Sequence, residues 1–216
     1  SDDGDTVAVF NGEIYNHAEL RRELESLGHR FRSRCDTEVV LRAFLECDTA
    51  CIERLRGMLG VALWTESEGR LILARGRLGI KPLYYCLRDG EIYFGSELKT
   101  IFEHPEIGRE IDLDGLSFYL SLNYVPCPYT LAAGIRKLPP GHWLEMRGGK
   151  VEIRPYWQLR FEPRKWELGE AKEELDRLLA ASVREQLVSD VPLGVWASGG
   201  LDSSTSLYYA SRAAGR

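Results

Sequence analysis

The segment Ser198-Gly199-Gly200-Leu201-Asp202-Ser203-Ser204 combines what anion binding asks of a chain. Its glycines let backbone N–H groups come close to a ligand. A helix starting behind the loop would aim unpaired N–H groups and the positive end of its dipole at the same place. The hydroxyls of Ser198, Ser203 and Ser204 add donors, and Asp202 suits a hydrated Mg²⁺ beside phosphate oxygens. Lys is absent from the place a Walker loop requires. The same residues also read as a tight strand-to-helix turn with an Asp and Ser cap, and spacing alone leaves both readings open. Elsewhere the residue types are quieter when read alone. Asn11-Gly12 is a turn signal and Asn16 a helix cap; Asp36, within Cys35-Asp36-Thr37-Glu38, reads as the N-cap of a following helix. His142 stands beside Pro139 and Pro140, where a packing or capping role is the plain expectation. Five cysteines, Cys35, Cys47, Cys51, Cys86 and Cys127, form an odd set without C-x-x-C spacing. They read as ordinary buried thiols rather than as a disulfide framework or a zinc site.

The elements that must position these residues follow from periodicity. Val7 to Phe10 reads as a buried strand running into the Asn11-Gly12 turn. A helix then opens at Asn16, with Leu20, Leu24 and Leu27 on one face, Glu19 at the capping-box position and Gly28 to end it. A second helix begins after Asp36, with Val40, Ala43 and Phe44 inward. From Gly60 to Phe94 the pattern shortens to Val61–Trp64, Leu71–Ala74, Leu83–Cys86 and Ile92–Phe94, which predicts a sheet of hairpins. Helical spacing returns over Ser96–Phe102 and Asp112–Leu122, before an extended region punctuated by Pro126, Pro128, Pro139 and Pro140. Residues Tyr156 to Lys165 read as a connection. A long amphipathic helix over Leu168–Leu187 then presents Ala171, Leu175, Leu178, Leu179 and Val183. A strand at Gly194–Ala197, the glycine loop and a helix from about Ser203 complete what reads as the first βα unit of a parallel sheet. One such unit cannot bury both faces of a sheet, so the chain is expected to stop inside a domain.

Composition bounds the rest. With 216 residues, 44% of them hydrophobic and 28% charged, the chain can bury a sizeable core. The net charge of −5 comes from interspersed acids and bases, so no basic run is available to neutralise a nucleic-acid backbone. No apolar stretch approaches membrane-spanning length, and Ser1 to Asp5 is acidic where a secretory leader would be basic. A cytoplasmic location with neither a nucleic-acid nor a membrane partner is the expectation.

Taken together, the motifs resemble a known family. Ser198-Gly199-Gly200-Leu201-Asp202-Ser203 is similar to the pyrophosphate loop of ATP pyrophosphatases. With Asp190-Val191-Pro192-Leu193-Gly194-Val195 ahead of it, it resembles the version found in glutamine-hydrolysing asparagine synthetases. Phe10-Asn11-Gly12-Glu13-Ile14-Tyr15-Asn16 resembles the glutaminase domain of the same enzymes, a class II amidotransferase. Arg75-Gly76-Arg77-Leu78-Gly79-Ile80-Lys81-Pro82-Leu83-Tyr84-Tyr85 resembles a further family hairpin, with Gly76 where the family usually has Asp. Phe94-Gly95-Ser96-Glu97-Leu98-Lys99 and Leu138-Pro139-Pro140-Gly141-His142 match other family segments. Another departure is Trp196-Ala197, where the family often has an apolar branched pair. The likeness runs from Val7 to Tyr209 in the family's order.

The resemblance implies a four-layer αββα N-terminal-nucleophile hydrolase domain, residues 1–158, followed by the start of an α/β ATP-pyrophosphatase domain, residues 159–216. It implies that Asn11 and the N–H of Gly12 stabilise an oxyanion, and that Glu13 and Asp36 contact the amino group of glutamine. ATP would rest on Ala197, Ser198, Gly199, Gly200, Leu201, Asp202, Ser203 and Ser204, with Mg²⁺ at Asp202. The substrates would be glutamine, aspartate and ATP, the intermediate an aspartyl-adenylate, and a second copy of the chain a candidate partner. The family's nucleophile is an N-terminal cysteine well upstream of the Asn11 motif. Ser1 stands only ten residues before Asn11; it reads as a truncation point, and the chain alone is expected to catalyse neither half-reaction. Two other readings fit the same residues: a non-catalytic glutaminase-like binding module, and a related synthetase that adenylates another carboxylate.

Overall fold

The computed structural model describes residues 1–189 and 191–215; Arg216, and Asp190 at the head of the segment before the glycine loop, lie outside the described residues. The chain forms two compact units, Ser1–Leu159 and Arg160–Arg216.

In the first unit, strand β1 (Thr6–Ile14) pairs antiparallel with β2 (Gly57–Thr65) over nine residues, from Thr6 against Thr65 to Ile14 against Gly57. The expected turn at Asn11-Gly12 is therefore strand. Asn-Gly favours a turn only when nothing else claims its backbone, and here Asn11 lies opposite Gly60 and Gly12 opposite Leu59. Close approach explains Gly12: a Cβ there would stand 2.0 Å from the Met58 carbonyl oxygen. Strands β3 (Arg70–Arg75), β7 (His142–Arg147) and β8 (Lys150–Pro155) complete a five-stranded antiparallel sheet in the order β1-β2-β3-β7-β8. A second sheet has three strands in the order β5-β4-β6, from β4 (Tyr84–Arg88), β5 (Glu91–Gly95) and β6 (Ile135–Lys137). The hairpin runs thus split between two sheets rather than forming one.

The period of two along each strand makes the layers. Val61, Leu63, Ile72 and Ala74 face helices α1 (His17–Ser26), α2 (Asp36–Cys47) and α3 (Cys51–Arg54), and form one core with Leu20, Leu24, Val40 and Phe44. Their neighbours Ala62, Leu71, Leu73 and Leu144 point the other way and meet Leu83, Tyr85 and Leu138 between the sheets. Beyond the second sheet, Cys86 and Ile135 pack with Ile101 of α4 (Leu98–Phe102). The order is helices, sheet, sheet, helix. Side chains such as Ile72, Leu73 and Leu144, with no exposed area, each contribute about 1.5–3 kcal/mol by burial.

Local caps differ from expectation in instructive ways. Asp112 caps α5 (Leu113–Leu122) by accepting from the Gly115 N–H at 2.8 Å. Asn16 makes no cap bond: its amide donates to the Arg54 carbonyl at 3.0 Å and accepts from the Arg56 N–H at 2.9 Å, tying α1 to the entry of β2. Glu19 pairs with Arg56 instead of closing a capping box. Gly28 ends α1 as expected, in the left-handed region at φ 99°. Of the thiols, Cys51 and Cys86 are buried, Cys47 is half-buried, and Cys35 and Cys127 are exposed, so the uniform expectation of burial is corrected.

The second unit contains α6 (Leu168–Gln186) and α7 (Leu201–Ala213), joined by a hydrogen bond from the Tyr209 hydroxyl to Asp176 at 2.8 Å. No residue of α6 is buried; Leu175 and Leu178 remain half exposed. The strand expected at Gly194–Ala197 is not formed, and Val195 and Trp196 are exposed. A lone strand has no ladder partner to satisfy its backbone, and among the described residues none is offered. No helix among the described residues is long and apolar enough to cross a membrane.

Candidate functional site

β1 is an edge strand, so alternate N–H groups leave the ladder. The bonds from Tyr15 N–H to Arg56 and from Glu66 N–H to the Asp5 carbonyl fix which ones. Odd-numbered residues bond to β2, and the N–H groups of Gly12 and Ile14 point away from it. That of Ile14 donates to the Asp36 carboxylate at 2.9 Å; that of Gly12 stands outside the β1–β2 ladder. Asn11 and Glu13 share the face opposite Phe10 and Ile14, and the Asn11 amide donates to the Ser96 hydroxyl at 2.8 Å. Asn11, Gly12, Glu13 and Asp36 are thus gathered along one open strand edge.

Asp36 is held there by its helix. It is the first residue of α2, with Cys35 at the cap position, and no side chain caps the helix. The expectation that Asp36 would cap is corrected: one of its oxygens accepts from strand β1, and the other lies 3.5 Å from the Cys35 sulfur. Glu38 steadies the approach by accepting from the Arg32 and Ser33 N–H groups at 2.8 and 2.7 Å. Burial would raise its pKa, but these bonds, the Ser33 hydroxyl and Arg42 together lower it. An open cleft of about 510 Å³ runs beside the start of β1, with Thr6, Ala8, Cys35, Thr37, Glu38 and Arg42 in its lining. Burial, and secondarily the Glu13 carboxylate, raises the pKa of Tyr15.

Arg75 is buried and donates to three backbone carbonyls, those of Lys81 at 2.9 Å, Leu138 at 2.8 Å and Gly79 at 2.7 Å. Burial pulls its pKa below the usual guanidinium value. Tyr156 donates to the Arg75 carbonyl at 2.8 Å, and burial pushes its phenol up to about 12. The segment therefore locks the 76–82 loop to the start of β7. His142 is part of that lock, its Nδ1 lying 2.8 Å from the Pro140 carbonyl.

The second constellation lies within the unit Arg160–Arg216. Gly200 caps α7 through its backbone alone, and Gly199 takes φ 79°. The Ser198 N–H donates to the Ser203 hydroxyl at 3.2 Å, and the Ser198 and Ser203 hydroxyls lie 3.1 Å apart. Two of the expected donors thus shape the loop from within, while Leu201, Asp202 and Ser204 are exposed. A Cβ on Gly200 would meet only the Ser198 hydroxyl, at 3.4 Å, and one on Gly199 nothing within 4 Å. The cradle is open, and Asp202 is its single carboxylate.

Ser96 is the site residue that sequence reasoning passed over. Its sequence signals were its place at the head of the helical spacing over Ser96–Phe102 and within the Phe94–Lys99 segment that resembles the family, neither of which singles out the hydroxyl.

Two sheets packed face to face between helical layers, with an Asn-Gly pair on an open strand edge, make up the unit on which the family comparison bears. The chain belongs to the glutamine amidotransferase domain family, matched over residues 1–157. Residues 174–215 match the asparagine synthase family. Among curated proteins the chain is 38% identical to asparagine synthetase [glutamine-hydrolyzing] 3 of Bacillus subtilis, over 93% of this chain and 33% of that protein. It is 35% identical to a putative asparagine synthetase [glutamine-hydrolyzing] 2 of Methanocaldococcus jannaschii, over 94% of this chain and 40% of that protein. The chain thus spans about a third of the length of the curated relatives it matches. Among solved structures, the glutamine phosphoribosylpyrophosphate amidotransferase of B. subtilis, complexed with ADP and GMP, matches with a TM-score of 0.51 at 16% identity. That match covers all of this chain and 45% of the other, and bears on the fold alone.

Proposed function

We propose that this chain carries the glutamine-handling site and the ATP-binding loop of a glutamine-hydrolysing asparagine synthetase. The observation that carries the reading is the Gly12 N–H, pointing away from the β1–β2 ladder, beside the Asn11 amide on the open edge of β1. In acyl transfer from glutamine the carbonyl oxygen gains charge, and an amide donor with a backbone N–H is a device for holding it. Glu13 and Asp36 supply carboxylates for the substrate ammonium; the Asp36 oxygen not bonded to Ile14 is the one available. Hydrolysis yields glutamate and ammonia. Residues 1–158 form this glutaminase domain, and residues 159–216 open the ATP-pyrophosphatase domain.

In the second domain, backbone and hydroxyl groups from Ala197 to Ser204 receive the phosphates of ATP at the N-terminus of α7. Asp202 would hold Mg²⁺ there, and the ion supplies neutralising charge to the phosphate oxygens. A carboxylate oxygen of aspartate attacks the α-phosphorus, pyrophosphate leaves, and an aspartyl-adenylate forms. Ammonia then attacks the acyl carbon, loses a proton and displaces AMP, giving asparagine.

The test uses the natural protein that carries this sequence, with glutamate, asparagine, AMP and pyrophosphate measured together. Asn11→Ala is expected to lower glutamine-driven asparagine formation about 100-fold or more while sparing synthesis from added ammonia. Asp202→Ala is expected to abolish AMP release with either nitrogen source. AMP release that does not depend on aspartate would overturn the choice of substrate, and an Asn11→Ala enzyme with unchanged glutaminase rate would overturn the site.

A further inference from the structure

We infer that Ser96 is a positioning residue for the oxyanion donor Asn11, a reading that rests on the glutaminase site proposed above. The bond from Asn11 Nδ2 to Ser96 Oγ, 2.8 Å long, joins residues 85 apart in sequence. It links β1 of the five-stranded sheet to the residue that follows β5 of the three-stranded one. It is the one side-chain hydrogen bond Asn11 makes among the described residues. The terminal torsion of asparagine is broad and soft, so with no such tie the amide plane turns and its donor loses aim. Nδ2 carries two hydrogens. Ser96 takes one, which leaves the second for a ligand and fixes the plane in which it lies.

The hydroxyl is itself delivered by local packing. Gly95 closes β5 against α4 so tightly that a Cβ there would stand 3.0 Å from Cβ of Thr100. Ser96 therefore leaves the strand at a fixed point, between the end of β5 and the start of α4. A group that touches neither substrate nor reacting atoms but sets the angle of one that does acts on the transition state more than on substrate binding.

The experiment measures glutaminase kinetics of the natural protein carrying Ser96→Ala, Ser96→Thr, Asn11→Ala and the double variant Asn11→Ala with Ser96→Ala. Ser96→Ala is expected to lower kcat for glutamine about tenfold while KM stays within about twofold and ammonia-driven synthesis is unchanged. Ser96→Thr, which keeps the hydroxyl, is expected to recover most of that loss. In the Asn11→Ala background, removal of Ser96 is expected to cost nothing more, because the group it aims is gone. A Ser96→Ala enzyme with wild-type kcat, or an additive further loss in the double variant, would overturn the inference. If Asn11→Ala alone leaves the glutaminase rate intact, the site reading falls first; if Asn11→Ala is slow and Ser96→Ala is not, only the role of Ser96 falls. Thermal melting of each variant separates these outcomes from misfolding, and Ser96→Thr keeps the test decisive should Ser96→Ala melt early.

Discussion

In the unit Ser1–Leu159, Asn11 and Gly12 stand on a strand clamped by its neighbour, with Gly12 packed so close to Met58 that no side chain fits. In the unit Arg160–Arg216, Gly199 stands in open space and Gly200 meets only the Ser198 hydroxyl, and the serines of their own loop hold them in shape. Both segments read as glycine turns in the sequence. One is a site whose geometry belongs to a sheet, the other a site whose geometry belongs to a helix end. Folding and function are therefore coupled at Gly12 and separable at Gly200.

The largest expected effect tests that contrast directly. Gly12→Ala forces a Cβ to 2.0 Å from a backbone oxygen, so β1 must part from β2. A stability loss of about 3 kcal/mol is expected, with glutaminase activity lost alongside it. Gly200→Ala is expected to change stability by less than about 1 kcal/mol and to weaken ATP binding. Denaturant melts paired with the two activities provide the measurement; equal stability losses at the two glycines would break the comparison.

Leucine truncation sharpens it. Leu73 lies between the two sheets with no exposed area, whereas Leu178 on α6 is half exposed. Leu73→Ala is expected to cost about 3 kcal/mol and Leu178→Ala less than about 1 kcal/mol, read from urea midpoints at constant slope. A Leu178→Ala loss as large as that at Leu73 would show that α6 is buried in solution.

The smallest effect concerns pH. Burial raises the pKa of Tyr156 to about 12, above the ordinary value near 10. The contribution of the protonated phenol is complete below pH 10. It is lost between pH 10 and about 12, where the unfolded chain gives up the proton and the folded chain keeps it. Tyr156→Phe, which also loses the bond to the Arg75 carbonyl, is expected to be about 1 kcal/mol less stable at pH 8. The gap should narrow as pH rises through that window; a gap constant to pH 12 would show that Tyr156 is not shielded.

Much of the secondary structure was legible from spacing. The buried faces of α1 and α2 follow from Leu20 and Leu24 and from Val40, Ala43 and Phe44, because helix periodicity is a property of near neighbours. The hairpin β7–β8 was passed over although Gly148 and Gly149, both with positive φ, mark its turn. The prolines before it drew the reading toward irregular chain. The glutamine-site residues were legible only through resemblance, since Asn-Gly and Asp before Thr carry ordinary local meanings.

By itself, the sequence determined the longer helices, most of the strands, the glycine loop before α7 and the family to which the chain belongs, all of which depend on residues close together or on ordered motifs. The tertiary structure alone decided that the hairpins divide between two sheets, that Asn11-Gly12 is strand, that Asp36 braces Ile14, that Arg75 is buried, and that Ser96 meets Asn11. Each of those facts is a contact between distant segments, and the partner of a hydrogen bond 85 residues away leaves no trace in the local pattern of either residue.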